Sequence, residues 1–324
     1  MRRRAAVALV LAAVTGLAGC GLESGGAVPL DVGPGSITPI AELSGVEITV
    51  GSKDFSESIV LGYIAEFALS AAGADVRDLT NIQGSNSARA ALENDQIDLY
   101  WEYTGTAYLN YQGNTEPIQE SQALFESVRD TDARENGIAW TALAPLDNTY
   151  ALAISPANAE RLGVETLSDY AELIRTDPEA ATTCLETEFA SRADGFNGMA
   201  EAYGFDAARA PTQILATGAI YSATATSQPC VFGEVFRTDG RIVGLDLQVL
   251  EDDLSFFPRY NAAVNLRSSV NAAYPQISEV LTPISALLTT ETISGLNAQV
   301  DVEGREPAEV ARDWLVQEGF VSLP

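Results

Sequence analysis

Five large rings fall within sixteen residues in the segment QIDLYWEYTGTAYLNY, residues 96–111: Tyr100, Trp101, Tyr103, Tyr108 and Tyr111. An aromatic ring at the end of a strand either fills core or turns its electron-rich face toward a soft cation, and the pattern leaves both open for Tyr103. Lys53 is the one lysine of the chain and follows the strand-like run Val46–Val50, so a fixed ammonium stands at another strand end. Such a group binds carboxylate, or else it is a surface cation. Two carboxylate clusters, EDD at 251–253 and DTDARE at 130–135, offer acid/base chemistry of the kind a carboxylate hydrolase uses. Both read as solvated helix or loop charge, and neither has a nucleophile motif beside it. Histidine is absent, which excludes His-dependent triads, His metal sites and imidazole relays. No motif calls for a cofactor or a metal. The net charge of −27 leaves no basic stripe to neutralise phosphates, so nucleic acid is not an expected partner.

The elements that must hold these side chains follow from periodicity. Val46-Glu47-Ile48-Thr49-Val50 alternates apolar and polar as a half-buried strand does. Asp54 and Glu57 have capping-box spacing, which predicts a helix from about Phe55 to Gly73. A strand near Val76–Ile82, a helix over Ala88–Glu93 and a strand over Ile97–Tyr103 complete a β-α-β-α-β order, which implies a mostly parallel sheet covered by helices. In the last strand Ile97, Leu99, Trp101 and Tyr103 share one face, and Asp98, Tyr100 and Glu102 the other. Ligands of open α/β sheets bind past the carboxyl ends of strands, where Lys53 and Tyr103 both lie. Further on, Tyr150–Ile154 and Gln248–Leu250 read as strands, and Leu167–Arg175, Gln276–Thr289 and Pro307–Gly319 as helices.

The N-terminus carries an address. Arg2-Arg3-Arg4 precedes a short apolar run, Ala5–Thr15, and the small-residue stretch Leu17-Ala18-Gly19-Cys20. This reads as a secretory leader over 1–19, too short for a stable membrane span of ~20 residues. The stretch before Cys20 resembles the bacterial lipobox, which implies cleavage there, lipid on the Cys20 sulfur and tethering to the outer face of a membrane; the alternative is an ordinary signal with a stray cysteine. So acidic a body would not adhere to an anionic surface by charge alone. Residues 20–45, rich in Gly, Pro and Ser after the cysteine, read as a flexible tether. Cys184 and Cys230 remain, in a compartment where disulfides persist, and are expected to pair rather than stay as two buried thiols.

Several stretches together resemble the substrate-binding proteins of osmoprotectant ABC importers, which take glycine betaine, choline or carnitine. They are Gly51-Ser52-Lys53 with Phe55 and Glu57, Ile97–Tyr100 through Glu102-Tyr103-Thr104-Gly105-Thr106, and Tyr150–Ala153. Glu188–Arg192 with Asp194-Gly195, and Leu250–Asp253 leading to Pro258-Arg259-Tyr260, continue the series in order over about 46–320. The resemblance implies an α/β, two-lobed periplasmic-binding-protein fold of type II, with two crossovers and the ligand in the interlobe cleft. Lobe I would be 46–147 plus 261–324 and lobe II 148–260, which puts both cysteines in one lobe. It implies a box of rings around a quaternary ammonium, from Tyr103, Tyr150, Phe236 and Tyr260, with phenylalanine at 236 where a tyrosine is usual. Lys53 and Arg192 match the positions that bind a ligand carboxylate, although Arg192 could instead form a structural ion pair with Asp194. Thr106 and Asn148 are further expected contacts. The expected activity is binding without catalysis: a monomeric, lipid-anchored receptor delivers glycine betaine, or choline, carnitine, ergothioneine or a bulkier cargo, to a permease.

Overall fold

The computed structural model describes residues 25–115 and 118–324, so the expected leader 1–19 and Cys20 lie outside the described residues. Strands β1 (Gly26–Ala27) and β2 (Gly33–Pro34) precede the alternating run, which forms β3 (Glu47–Lys53). Helix α1 (Ser56–Ala71) follows, then β4 (Asp75–Ile82), α2 (Ser85–Glu93) and β5 (Leu99–Tyr103). The helix start is where the sequence puts it, but the capping box does not form. Phe55 is the N-cap residue and supplies no side-chain bond. Asp54 instead accepts from the Gly84 amide at 3.1 Å, and Glu57 turns into the protein.

The remaining strands are β6 (Ile138–Thr141), β7 (Tyr150–Ile154), β8 (Thr183–Leu185), β9 (Thr212–Ile214), β10 (Phe232–Phe236), β11 (Gln248–Val249), β12 (Ala262–Arg267) and β13 (Val321–Ser322). They build a six-stranded sheet, β1-β4-β3-β5-β12-β6, and a five-stranded sheet, β11-β7-β10-β8-β9. All strands of the second sheet fall between residues 150 and 249, and those of the first fall before and after it, so the chain passes between the sheets twice. Neither sheet is mostly parallel. β3 pairs parallel with β4 and β5, but β12 is antiparallel to both β5 and β6. In the second sheet β7 is antiparallel to β10, while β8 is parallel to β10 and β9. Apart from β1, which runs antiparallel to β4, the antiparallel members are the strands next to the crossovers, whose direction is set by the passage of the chain between the lobes and not by a βαβ unit.

The expected free tether gives way from residue 25 onward. β1 pairs with β4, β2 pairs with β13, and Ile40 donates its amide to Ala72 at 2.8 Å. Ile37 and Leu43 are buried in the main core. Sparse apolar residues in a Gly/Pro-rich segment suffice to dock it where a sheet edge is free, which its composition conceals. The expected helix Gln276–Thr289 stops at Ser285, and Thr289 caps a separate helix, Thr290–Asp301, by accepting from the Thr292 amide at 3.1 Å. Cys184 and Cys230 are bonded and buried in a small apolar cluster of the second lobe.

Candidate functional site

Between the two sheets lies a cleft of about 470 Å³. β3 ends on Lys53, β5 on Tyr103, β7 begins with Tyr150 and β10 ends on Phe236, so four strand ends of two sheets deliver their side chains to one place. Tyr260 arrives from the second crossover. The four rings expected from the sequence stand together, and Phe55 joins them. Phe55 packs on Phe236 with centroids 5.2 Å apart and on Tyr103 at 5.9 Å. Phe236 meets Tyr150 at 5.1 Å, and Tyr150 meets Tyr260 edge-on at 5.4 Å. Thr106 and Asn148 also line the cleft.

Two of the rings are fixed through their hydroxyls. The Tyr103 hydroxyl donates to Glu57 at 2.8 Å, and burial followed by the Glu57 charge push its phenol well above the ordinary range, so it stays an O–H donor. Glu57 is itself fully buried and accepts four bonds. Tyr103 and Asn148 reach one oxygen, and Thr238 and Asn297 the other at 2.5 and 2.9 Å. Burial raises its pKa, and those four donors work against the rise. Tyr260 donates to Asp194, and its ring lies against Gly105, where a Cβ would come within 2.8 Å of it. Asn148 gives its amide hydrogens to Glu57 at 3.0 Å, while its side-chain oxygen, buried in the cleft wall, has no partner.

The cations are held by the protein's own acids. Lys53 lies 2.5 Å from the buried Glu102, which also accepts from the Tyr100 and Tyr111 hydroxyls at 2.8 Å each. Those two tyrosines therefore frame the site through Glu102 and do not line it. Lys53 also stands 5.0 Å from the Tyr103 ring centroid. Arg192 is not among the residues lining the cleft. Its guanidinium sits behind Tyr150, 5.5 Å from the ring centroid, and bonds Asp194 through two nitrogens and Glu188 through the third at 2.8 Å. Glu188 crosses the cleft to accept from the Ser85 amide at 3.1 Å. Burial would raise its pKa, but Lys53 and Arg192 outweigh that and hold it at about 2.

Sequence reasoning did not assign Phe55, Glu57, Glu188 or the polar lip Gln83–Ser87 to the site. Phe55 and Glu57 sit in the segment that follows Lys53, and an aromatic at a helix N-cap past a strand end is a signal that could have found the first. Nothing local marks the lip. Members of both acid clusters are structural. Asp252 accepts from the Phe256 and Phe257 amides, and Asp132 is buried against Arg89, not solvated as its sequence suggests.

A substrate-binding domain profile, that of the ABC-type glycine betaine transport system, matches residues 46–317. The chain belongs to this OpuAC family. It is a family of substrate-binding proteins and not of enzymes, and this OpuAC protein is the extracytoplasmic solute-binding component of an ABC transporter. It is 36% identical over 273 residues to the glycine-betaine-binding protein of Pseudomonas aeruginosa, covering 83% of this chain and 86% of that one. It is 32% identical over 274 residues to the ergothioneine transport permease/ergothioneine-binding protein EgtU of Helicobacter pylori, covering 84% of this chain but 48% of that longer protein. Among solved structures it resembles apo YehZ from Escherichia coli, with a TM-score of 0.62 at 29% identity over 85% of this chain and 99% of that one. These OpuAC-family neighbours carry the type II periplasmic-binding-protein fold, in agreement with the two sheets and two crossovers. Among the described residues no helix is long and apolar enough to cross a membrane.

Proposed function

We propose that the protein captures a quaternary-ammonium compatible solute, glycine betaine foremost, and hands it to the permease of its transporter. It does so as a monomer held at the outer membrane face by lipid on Cys20. The observation that carries this reading is the run of five rings, Tyr103, Phe55, Phe236, Tyr150 and Tyr260, lining one interlobe cleft. A trimethylammonium group has no N–H to donate, and ring faces supply its attraction without hydrogen bonds. Each desolvated ring contact contributes about 0.5–2 kcal/mol, so the box with a cation for the carboxylate reaches about −8 kcal/mol, or micromolar affinity, after ordering costs. Lys53 on the cleft wall is the first group to meet that carboxylate, with Arg192 behind it.

The test is isothermal titration of the purified protein with glycine betaine and choline in parallel. Micromolar betaine binding is expected, with Tyr103→Ala and Tyr260→Ala each losing about tenfold or more because a ring contact and its packing go together. Unchanged dissociation constants in both variants would move the site elsewhere. Anchoring is checked separately by fractionation: Cys20→Ser should leave the protein unattached to membranes.

A second reading keeps the receptor and enlarges its cargo to carnitine, ergothioneine or a bulkier betaine. The cleft volume of about 470 Å³ favours it, since it lies within the ~300–1,000 Å³ typical of drug-sized ligands. The lip Gln83–Ser87 and the unpartnered Asn148 oxygen would then receive the extra polar groups.

A further inference from the structure

Glu188 occupies a place that a ligand carboxylate would need. Its two oxygens bridge Arg192 in the second lobe, at 2.8 Å, and the first amide of α2 in the first lobe, at 3.1 Å. It lines the same cleft as the ring box, with Lys53 and Ser85 beside it. Lys53 and Arg192 also govern the ionisation of this carboxylate, which they hold at about 2, so it is charged at any working pH. Each basic group is meanwhile matched by a second acid, Glu102 for Lys53 and Asp194 for Arg192. The two basic groups are thus matched by three carboxylates, and of these three Glu188 alone lines the cleft. A zwitterion that presents its own carboxylate there meets Glu188 as a rival, whereas a plain cation meets it as an attraction.

We propose that Glu188 is a specificity-determining residue: an internal stand-in for the ligand carboxylate, displaced by zwitterionic solutes and left in place by purely cationic ones. This rests on the quaternary-ammonium reading of the site. The displaced Glu188 releases one Arg192 nitrogen and the α2 amide as donors for the arriving carboxylate. The protein therefore sets its preference between betaine-like and choline-like solutes by the charge of one side chain.

The experiment measures the dissociation constants of glycine betaine and choline for the wild type and for Glu188→Gln, which keeps shape and an acceptor for the Ser85 amide but carries no charge. Betaine should tighten and choline weaken, moving the ratio of the two constants toward betaine by roughly tenfold or more, as expected when a like charge is removed from a partly buried site. Because Glu188 also ties the lobes together, the variant can change closure, but a change in closure acts on both ligands alike and cancels in the ratio. Glu188→Ser, which removes charge and reach together, should move the ratio in the same direction, and covers the case in which the Gln variant does not fold. Binding of both solutes with a ratio within about threefold of the wild type, or a shift toward choline, overturns the assignment. If the wild type binds neither solute, the quaternary-ammonium reading falls and takes this assignment with it.

Discussion

Removing the Glu57 carboxylate would leave the Tyr103 and Thr238 hydroxyls and the Asn148 amide without their acceptor in a buried site, and Asn297 with only the Thr238 carbonyl. Stranded buried donors are costly, so Glu57→Ala is expected to lose about 2–4 kcal/mol of stability. It should also weaken solute binding, because Tyr103 loses the anchor of its ring. Chemical denaturation alongside titration checks both, and a variant as stable as the wild type would contradict the role. Glu57→Gln should lie between, since its amide hydrogens face two donors where the carboxylate presented only acceptors. The sequence places this glutamate in a capping box, three residues after Asp54, and the helix does begin there. What the local spacing could not carry is a partner 181 positions away, Thr238, reached only once two lobes close on each other. The rings were more legible than their supports for the same reason: Tyr103, Tyr150 and Tyr260 sit in short segments with a family likeness. Glu188 lies in such a segment too, but what it contacts, Ser85, lies 103 residues earlier.

At the level of elements, the end of β5 shows how backbone shape sets the box. The strand stops at Tyr103, the chain turns helical at Thr104–Thr106, and Gly105 lets the Tyr260 ring lie directly on the turn. A Cβ there would stand 2.8 Å from two ring carbons, with the ring held in place by the bond from its hydroxyl to Asp194. Gly105→Ala should therefore displace the Tyr260 ring and weaken the solute by about tenfold while the protein stays folded, since overpacking typically costs ~1–3 kcal/mol. Titration and a melting curve measured together separate the two effects; binding at wild-type strength would show that the ring position does not matter. The strands and helices feeding the cleft were visible as alternation and 3.6-residue periodicity. Strand direction was not, because a βαβ order predicts parallel neighbours while β12 returns from the other lobe and runs against β5. The docked segment 25–45 was missed on the same ground: its few apolar residues show no period, and only the free edges of β4 and β13 give it a place.

Across the whole molecule, acidity is not spread evenly between solvent and interior. The chain carries a net charge of −27, yet burial pushes Glu66 on α1 up to about 10 and Glu234 on β10 up to about 8, so both stay protonated in the folded protein near neutrality. Glu66 has no hydrogen-bond partner on either oxygen, whereas Glu234 accepts the Glu186 amide at 2.7 Å. In the unfolded chain both ionise near 4.5. Above that pH the folded state binds more protons than the unfolded one, so stability falls as pH rises, until about 8 for Glu234 and about 10 for Glu66. Glu188 acts in the opposite sense: its contribution is complete above 4.5 and is lost as pH falls toward about 2. Stability should therefore peak near pH 5, with the alkaline slope belonging to the buried acids and the acid slope to the paired ones. Glu66→Gln separates these, because it keeps the shape and removes the proton. The variant is expected to match the wild type at about pH 4.5 and to exceed it increasingly toward pH 8, by about 1 kcal/mol for each pH unit. Melting midpoints of the two proteins between pH 4.5 and 8.5 check this, and parallel curves would mean that Glu66 is ionised in the folded state and finds a counter-charge there.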